Sequence, residues 1–278
     1  MTRVTPTIQS CTRFALFACL ALCLISLPLQ SQAAAWVGED FQGNECDGGQ
    51  GTAGTRDYLK RFEPRAAAFL AMTEEHHFNE DVEALRKGIT SEPMGDIDFV
   101  LRTFPNHHRA LYSAMQYRLK HKKRWPAGAS WQKAECYYNR AVNFRPRDIT
   151  VHTQYALLQY KFKKFEGALE SYQTVNKLNP NDPLVLYNMG LTLVKLKRFD
   201  EAKFIADRVY GLGFPLPGLR NKLITAGHWK DETSPETLAD KAAKLQEEMD
   251  TADAQSASGE ASEEETNTSG EEADDSDV

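Results

Sequence analysis

The stretch ITVHTQYALLQYKFKKFEGALESYQTVNKLNPND, residues 149–182, is followed at once by PLVLYNMGLTLVKLKRFDEAKFIADRVYGLGFPL, residues 183–216. Both segments are 34 residues long, and the same residue types recur at the same offsets. The matching residues are Ala156 and Gly190 at offset 8, Phe165 and Phe199 at offset 17, and Ala168 and Ala202 at offset 20. A period of this length is typical of stacked structural repeats.

These offsets resemble the tetratricopeptide repeat (TPR), a helix–turn–helix unit of about 34 residues. The resemblance implies that small residues at offsets 8 and 20 let two helices cross closely, while the aromatic residue at offset 17 fills the gap between them. We therefore expect an all-α fold, a right-handed TPR solenoid. Its helices should lie near 149–162, 165–178, 183–196 and 199–211. The chain is similar to exported bacterial TPR proteins of unassigned role.

The repeat array is expected to span residues 74–229. A preceding unit has Trp131, Ala134, Ala141 and Pro146 at offsets 17, 20, 27 and 32. Its first helix should begin near His108, which is 41 residues before Ile149 and leaves an insertion over 123–129. Residues 74–104 resemble a degenerate first unit, whose second helix we expect Pro93 and Gly95 to disturb. A helix over 218–226 should cap the last apolar face.

Residues 1–35 have the pattern of an export signal. Arg3 and Arg13 accompany an uncharged apolar run over 14–28, and small residues follow, so cleavage is expected after residue 33 or 35. The protein should then be exported, to the periplasm of a Gram-negative type of cell. An uncleaved signal anchor is an alternative, although the apolar run is shorter than the roughly 20 residues of a bilayer-spanning helix.

The cysteine count depends on that cleavage. Removing the signal leaves Cys46 and Cys136, and two thiols in an oxidising compartment predict one disulfide. This bond would tie the Gly-rich N-terminal arm, residues 36–73, to the second helix of the inserted repeat. The cysteine spacing matches no zinc, haem-attachment or thioredoxin-like pattern.

The net charge of −6 conceals two opposed blocks. Residues 231–278 hold 17 acidic residues against Lys241 and Lys244, a net charge of −15. Residues 99–165 hold 14 Lys and Arg against two acidic residues, a net charge of +12. The acidic tail, residues 230–278, is expected to be largely disordered. Two hypotheses for it stay open: it competes with an acidic partner for the basic repeats, or it only keeps the protein soluble.

Motifs for catalysis or cofactor binding are weak. Residues 49–54 match G-x-G-x-x-G, but no apolar strand precedes them, as a dinucleotide site requires. The pairs His76-His77 and His107-His108 are adjacent residues, so neither pair forms a two-ligand face on a helix. Nucleophile elbows and phosphate-binding loops are absent from the sequence. We therefore expect no enzyme activity, no cofactor and no metal site.

The resemblance to TPR proteins implies a concave groove lined by offsets 2, 5, 9, 12 and 13 of each first helix. The groove residues this predicts are Arg109, Tyr112, Gln116, Leu119 and Lys120; Thr150, Thr153, Leu157, Tyr160 and Lys161; and Leu184, Tyr187, Leu191, Val194 and Lys195. Tyrosine and leucine flanked by cations favour a protein or peptide partner with apolar anchors and some negative charge. A carboxylate clamp with Asn at offset 9 is absent, since Gln116, Leu157 and Leu191 stand there.

The leading interpretation is therefore a periplasmic protein-binding or scaffold module without catalysis. One alternative is an envelope-associated regulator whose basic segment contacts anionic lipid or glycan. An enzyme with an unrecognised site is the other alternative. The export signal argues against a nucleic-acid partner.

Overall fold

The computed structural model describes residues 34–49 and 54–230, together with Ala243, so nearly all of the predicted export signal and of the acidic tail lies outside the described residues. The α-helices of the described part are α1 Pro64–His77, α2 Glu80–Glu83, α3 Pro93–Thr103, α4 His108–Lys120, α5 Ala134–Phe144, α6 Ile149–Lys161, α7 Phe165–Leu178, α8 Pro183–Lys195, α9 Phe199–Gly211 and α10 Gly218–Thr225. A short 3-10 helix, Tyr58–Lys60, precedes them. The described residues contain no strand, only one isolated antiparallel bridge between Glu39 and Glu45. The all-α repeat fold is confirmed, and the four predicted repeat helices end within one residue of the expected positions.

The backbone repeats with the same 34-residue period as the sequence. Lys163 and Lys197 both stand at offset 15, between the two helices of a unit, and both adopt a left-handed conformation with φ of 61° and 58°. Each of the two turns therefore contains one residue with positive φ, a conformation that is uncommon for residues other than glycine. Asp182 caps α8 through the backbone N–H groups of Leu184 and Val185.

The first unit differs from the expectation. Pro93 does not disturb a helix but begins one, because it occupies the first helical turn of α3, where a missing N–H costs nothing. Pro64 begins α1 in the same way. This helix continues to His77 and so runs across the boundary expected between the arm and the array at residues 73 and 74.

The chain divides into an N-terminal unit that ends at Phe162 and a C-terminal unit that begins at Lys163. In the C-terminal unit, α8 packs against α7, α9 and α10, and α10 is the predicted cap. Leu219 of α10 approaches Gly190 so closely that a Cβ atom there would lie 2.5 Å from a Leu219 methyl group. The small residue at offset 8 is thus required by the cap. Among the described residues, no helix has both the length and the apolar character to cross a membrane.

The N-terminal arm lies along α5. Cys46 and Cys136 form a disulfide with a Cα–Cα distance of 5.4 Å and a sequence separation of 90 residues. On the chain-entropy model, closing a loop of this size stabilises the fold by about 4 kcal/mol. Trp36 packs edge-on against Tyr137, and Arg140 donates to the carbonyl of Ala34 at 2.9 Å. The arm is therefore part of the folded unit.

A buried ion pair joins α4, α5 and the arm. The Arg118 guanidinium donates to both carboxylate oxygens of Glu135 at 3.0–3.2 Å, and the two side chains are 2% and 0% exposed. The backbone N–H of Phe41 in the arm donates to the same carboxylate at 3.3 Å. Phe162, at the end of α6, lies beneath the guanidinium with its ring centroid at 4.3 Å. One pair of charges thus organises three helices and the arm.

Replacing Glu135 alone should be strongly destabilising, because it leaves the Arg118 charge buried without a counter-ion. We expect Glu135→Ala to lower the free energy of unfolding by about 3–5 kcal/mol, measured by chemical denaturation. The double replacement Arg118→Met/Glu135→Met should cost clearly less, since no buried charge remains. If the double variant loses at least as much stability as the single variant, the ion pair does not have this role.

His107 caps α4 as a neutral imidazole. Its Nδ1 atom accepts from the backbone N–H of Ala110 at 3.1 Å, so the proton lies on Nε2, which donates to Glu74 at 2.9 Å. The side chain is fully buried, and this burial lowers the pKa of His107. The hydrogen bond from His107 in turn lowers the pKa of Glu74. A protonated ring has no acceptor left for the N–H of Ala110.

This cap should make stability depend on pH. Because the pKa of His107 is lower in the folded state, the unfolded chain binds the proton more readily, and the stabilisation present above about pH 6.5 is lost as the pH falls. Wild type should lose up to about 1.4 kcal/mol per pH unit relative to His107→Asn, which retains a capping side chain that does not titrate. Denaturation at pH 7 and pH 5 measures the difference. Parallel losses in the two proteins would contradict this assignment.

Candidate protein-binding surface

Helices α4 and α6 pack side by side and run in the same direction. At their N-terminal ends, His108 Nε2 lies 3.0 Å from the carboxylate of Asp148, the residue that caps α6. Gln154 donates to the carbonyl of His108 at 3.2 Å. At their C-terminal ends, Lys122 Nζ donates to the carbonyl of Lys161. The two first helices therefore present matching positions along one surface.

Arg109 occupies the N-terminal end of this surface, but its charge is already paired. Its guanidinium binds both carboxylate oxygens of Glu83, one of them at 2.9 Å, and lies 3.4 Å from Glu74. The hydrogen bond from Arg109 lowers the pKa of Glu83, and the same bond raises the pKa of Arg109. Arg109 thus connects α4 to the first unit and contributes little free positive charge.

The middle of the surface mixes exposed and packed side chains. The Tyr112 ring is large, apolar and 48% exposed. Leu157 is partly buried and packs against the core of the N-terminal unit, and Gln116 and Tyr160 are also partly buried. The hydroxyl of Thr153 donates to the carbonyl of Ile149 at 2.8 Å, within its own helix. Tyr112 is accordingly the residue of this group best placed to contact a partner.

Exposed cations gather at the C-terminal end of the two helices. We call this group the basic end; it comprises Lys120, Lys122, Lys123, Arg124 and Lys161. Within the described part of the chain, none of the five forms an ion pair. The C-terminal ends of helices also carry partial negative charge, which favours cations there. The basic end is therefore a patch of positive charge available to an external anion.

Other cations of the basic segment serve the fold. Arg102, Arg109, Arg118, Lys133 and Arg145 pair with carboxylates, at Asp98, Glu83 and Glu74, Glu135, Asp40 and Asp57 respectively. Arg140 donates to the carbonyls of Ala34, Leu101 and Arg102, and burial lowers its pKa to about 10. The net charge of +12 over residues 99–165 is therefore larger than the positive charge that the surface has available to bind a partner.

The predicted groove residues of the C-terminal unit lie on α8. The Tyr187 ring packs against Phe214, with centroids 4.8 Å apart, and its hydroxyl faces the backbone at the start of α10. Leu191 is partly buried, and Lys195 is exposed without an ion pair among the described residues. Tyr187 thus supports the cap.

Three of the four histidines in the pairs His76-His77 and His107-His108 each contact a carboxylate. His77 Nδ1 lies 3.1 Å from Asp96, while His107 and His108 contact Glu74 and Asp148. In residues 34–49 and 54–230, no three His, Cys, Asp or Glu side chains are grouped as a metal site would need. Most of the G-x-G-x-x-G match, residues 50–53, lies outside the described residues.

Two surface features were not anticipated from the sequence. One is a cleft of about 540 Å³ at the start of α1, where Arg56 stacks on Phe69 at 3.4 Å and Arg145 pairs with Asp57. The other is an apolar groove on α7, α8 and α9. Its main sequence indication is Phe204, a large aromatic residue in a repeat helix at a position that the repeat pattern does not assign to the core.

Comparison with known proteins agrees with this architecture. A family model described as a TPR repeat matches residues 163–197, which include α7 and α8. No curated protein matches the chain. TPR repeats generally mediate binding between proteins. The matched repeat, together with the sequence pattern that recurs every 34 residues, supports a tetratricopeptide repeat fold for this part of the chain.

Proposed function

We propose that this chain is a periplasmic scaffold module, without catalysis, that binds an acidic protein segment on the surface formed by α4 and α6. The observation that carries the proposal is the basic end, where five exposed cations stand without acidic partners in the described part of the chain. Charged groups at such a surface affect the orientation and the rate of binding more than they affect the affinity.

Tyr112 supplies the apolar contact of the proposed surface. Aromatic side chains are enriched among the residues that dominate binding energy. Tyr112 stands on the second turn of α4, whereas the basic end begins in the last turn, so the two features are separated along the helix. A partner that matches them has an apolar anchor toward one end and carboxylates toward the other. An extended or helical peptide satisfies this arrangement.

The proposed location rests on the N-terminal residues and on the disulfide. Residues 1–35 have the pattern of an export signal. The Cys46–Cys136 bond is of a kind that persists in oxidising compartments and is rare in the cytosol. Both features support a protein that works outside the cytoplasm.

Site-specific cross-linking tests the proposed surface. A photo-reactive amino acid in place of Tyr112 should give discrete protein adducts in intact cells, whereas the same group at Asn143, an exposed position on α5, should not. Reversing two charges, Lys120→Glu/Lys161→Glu, should reduce the Tyr112 adducts about tenfold, equivalent to about 1.4 kcal/mol of binding.

The control carries the same change of net charge elsewhere. Arg65→Glu/Lys87→Glu reverses two exposed cations outside the surface and should leave the adduct yield unchanged. Equal adduct formation at positions 112 and 143, or equal losses in both double variants, would contradict a binding surface on α4 and α6.

The basic end also suits the alternative of anionic lipid or glycan. Exposed lysines close to a membrane surface are attracted by anionic headgroups. Salt-sensitive binding of the exported protein to vesicles of anionic phospholipid, lost in Lys120→Glu/Lys161→Glu and accompanied by no protein adduct at position 112, would favour that function instead.

A further inference from the structure

The C-terminal unit carries an apolar groove that no described residue fills. It has a volume of about 470 Å³ and is lined mainly by Leu169 of α7, Met189 and Leu193 of α8, and Phe204 and Ile205 of α9. Phe204 is 63% exposed, although it stands in the middle of a repeat helix. A concave apolar surface of this kind usually marks a docking site.

The described chain ends beside this groove. His228 stacks on Phe199, with centroids 4.5 Å apart, and its Nδ1 atom lies 3.4 Å from the carboxylate of Asp200. Asp200 itself lines the groove. Trp229 then packs against Tyr210 and Lys203, which do not line the groove, so the tail leaves the C-terminal unit on the flank of α9 next to Asp200. Four residue steps lead from Lys230 to Ser234, and an extended chain of that length reaches about 13 Å.

The tail contains one segment with the pattern needed to fill the groove. Apart from the terminal Val278, its large apolar residues are Leu238, Leu245 and Met249. In a helix, these residues and Ala242 fall on one stripe, since successive residues are about 100° apart. Beyond Lys230, the only Lys or Arg residues of the tail are Lys241 and Lys244, which belong to the same segment. Ala243, which the structure describes as helical and exposed, falls on the opposite side of this stripe.

We propose that residues 234–249 fold back as an amphipathic helix and dock the stripe of Leu238, Ala242, Leu245 and Met249 into the groove beside Phe204. Burial of the stripe and of Phe204 drives the contact, since both are otherwise exposed to water. Lys241, which flanks the stripe, is matched by Asp200 and Glu201 at the rim of the groove. This docking goes beyond the proposed function, because it involves only the C-terminal unit and its own tail.

Hydrogen–deuterium exchange of the full exported chain tests the docking. Backbone amides of residues 234–249 should exchange at least about tenfold more slowly than in a free peptide of the same sequence. Both Leu245→Glu in the stripe and Phe204→Glu in the groove should abolish this protection. Ala243→Glu introduces the same charge on the opposite side of the helix and should preserve it.

Phe204 is exposed, so its replacement leaves the core of the repeat intact, and exchange in α8 reports directly whether the unit is still folded. Protection of residues 234–249 that is equal in wild type and Phe204→Glu would overturn the proposal. Protection that disappears on dilution would overturn it as well, since it would assign the groove to a second copy. Exchange at the rate of the free peptide in wild type would also overturn it, because residues 234–249 would then not be docked.

Discussion

The buried pair of Arg118 and Glu135 is the constraint on which the N-terminal unit depends. A guanidinium that is 2% exposed requires a carboxylate at close range, because an unpaired charge is costly to bury. Its counter-ion stands on α5, its aromatic neighbour Phe162 ends α6, and the arm adds the N–H of Phe41. The disulfide of Cys136 follows directly after Glu135 and fixes the arm covalently. The buried ion pair and the disulfide therefore both attach to neighbouring residues at the start of α5.

The ion pairs that stabilise the fold determine which cations remain available to bind a partner. Arg118 and Arg140 are buried, and Arg109 is held by Glu83, so the fold consumes much of the positive charge that the sequence displays. The lysines in and just after the last turns of α4 and α6 form no ion pairs within the described residues. Because the two helices run in the same direction, those lysines meet at one end. The positive charge is spread over the basic segment in the sequence. On the surface of α4 and α6 it is concentrated at the C-terminal end of the two helices.

The sequence predicts the repeat helices well, since the residue types at offsets 8, 17 and 20 recur every 34 residues. Gly190 illustrates this: its small size is what lets Leu219 of the cap approach. Features without a period are harder to predict. Pro93 was expected to disturb a helix and instead begins one, and the pairing of Arg109 or Arg118 depends on carboxylates far away in the sequence. The groove at Phe204 arises only when three helices are assembled.

The dependence of partner binding on ionic strength tests the central claim most directly. Exposed charges are screened beyond about 8 Å at physiological salt, so binding through the basic end should weaken as salt is added. For the partner captured at Tyr112, we expect the affinity of the wild-type protein to fall steeply between low and physiological salt. The affinity of Lys120→Glu/Lys161→Glu should be low and nearly independent of salt. A wild-type affinity that does not change with salt would contradict the account.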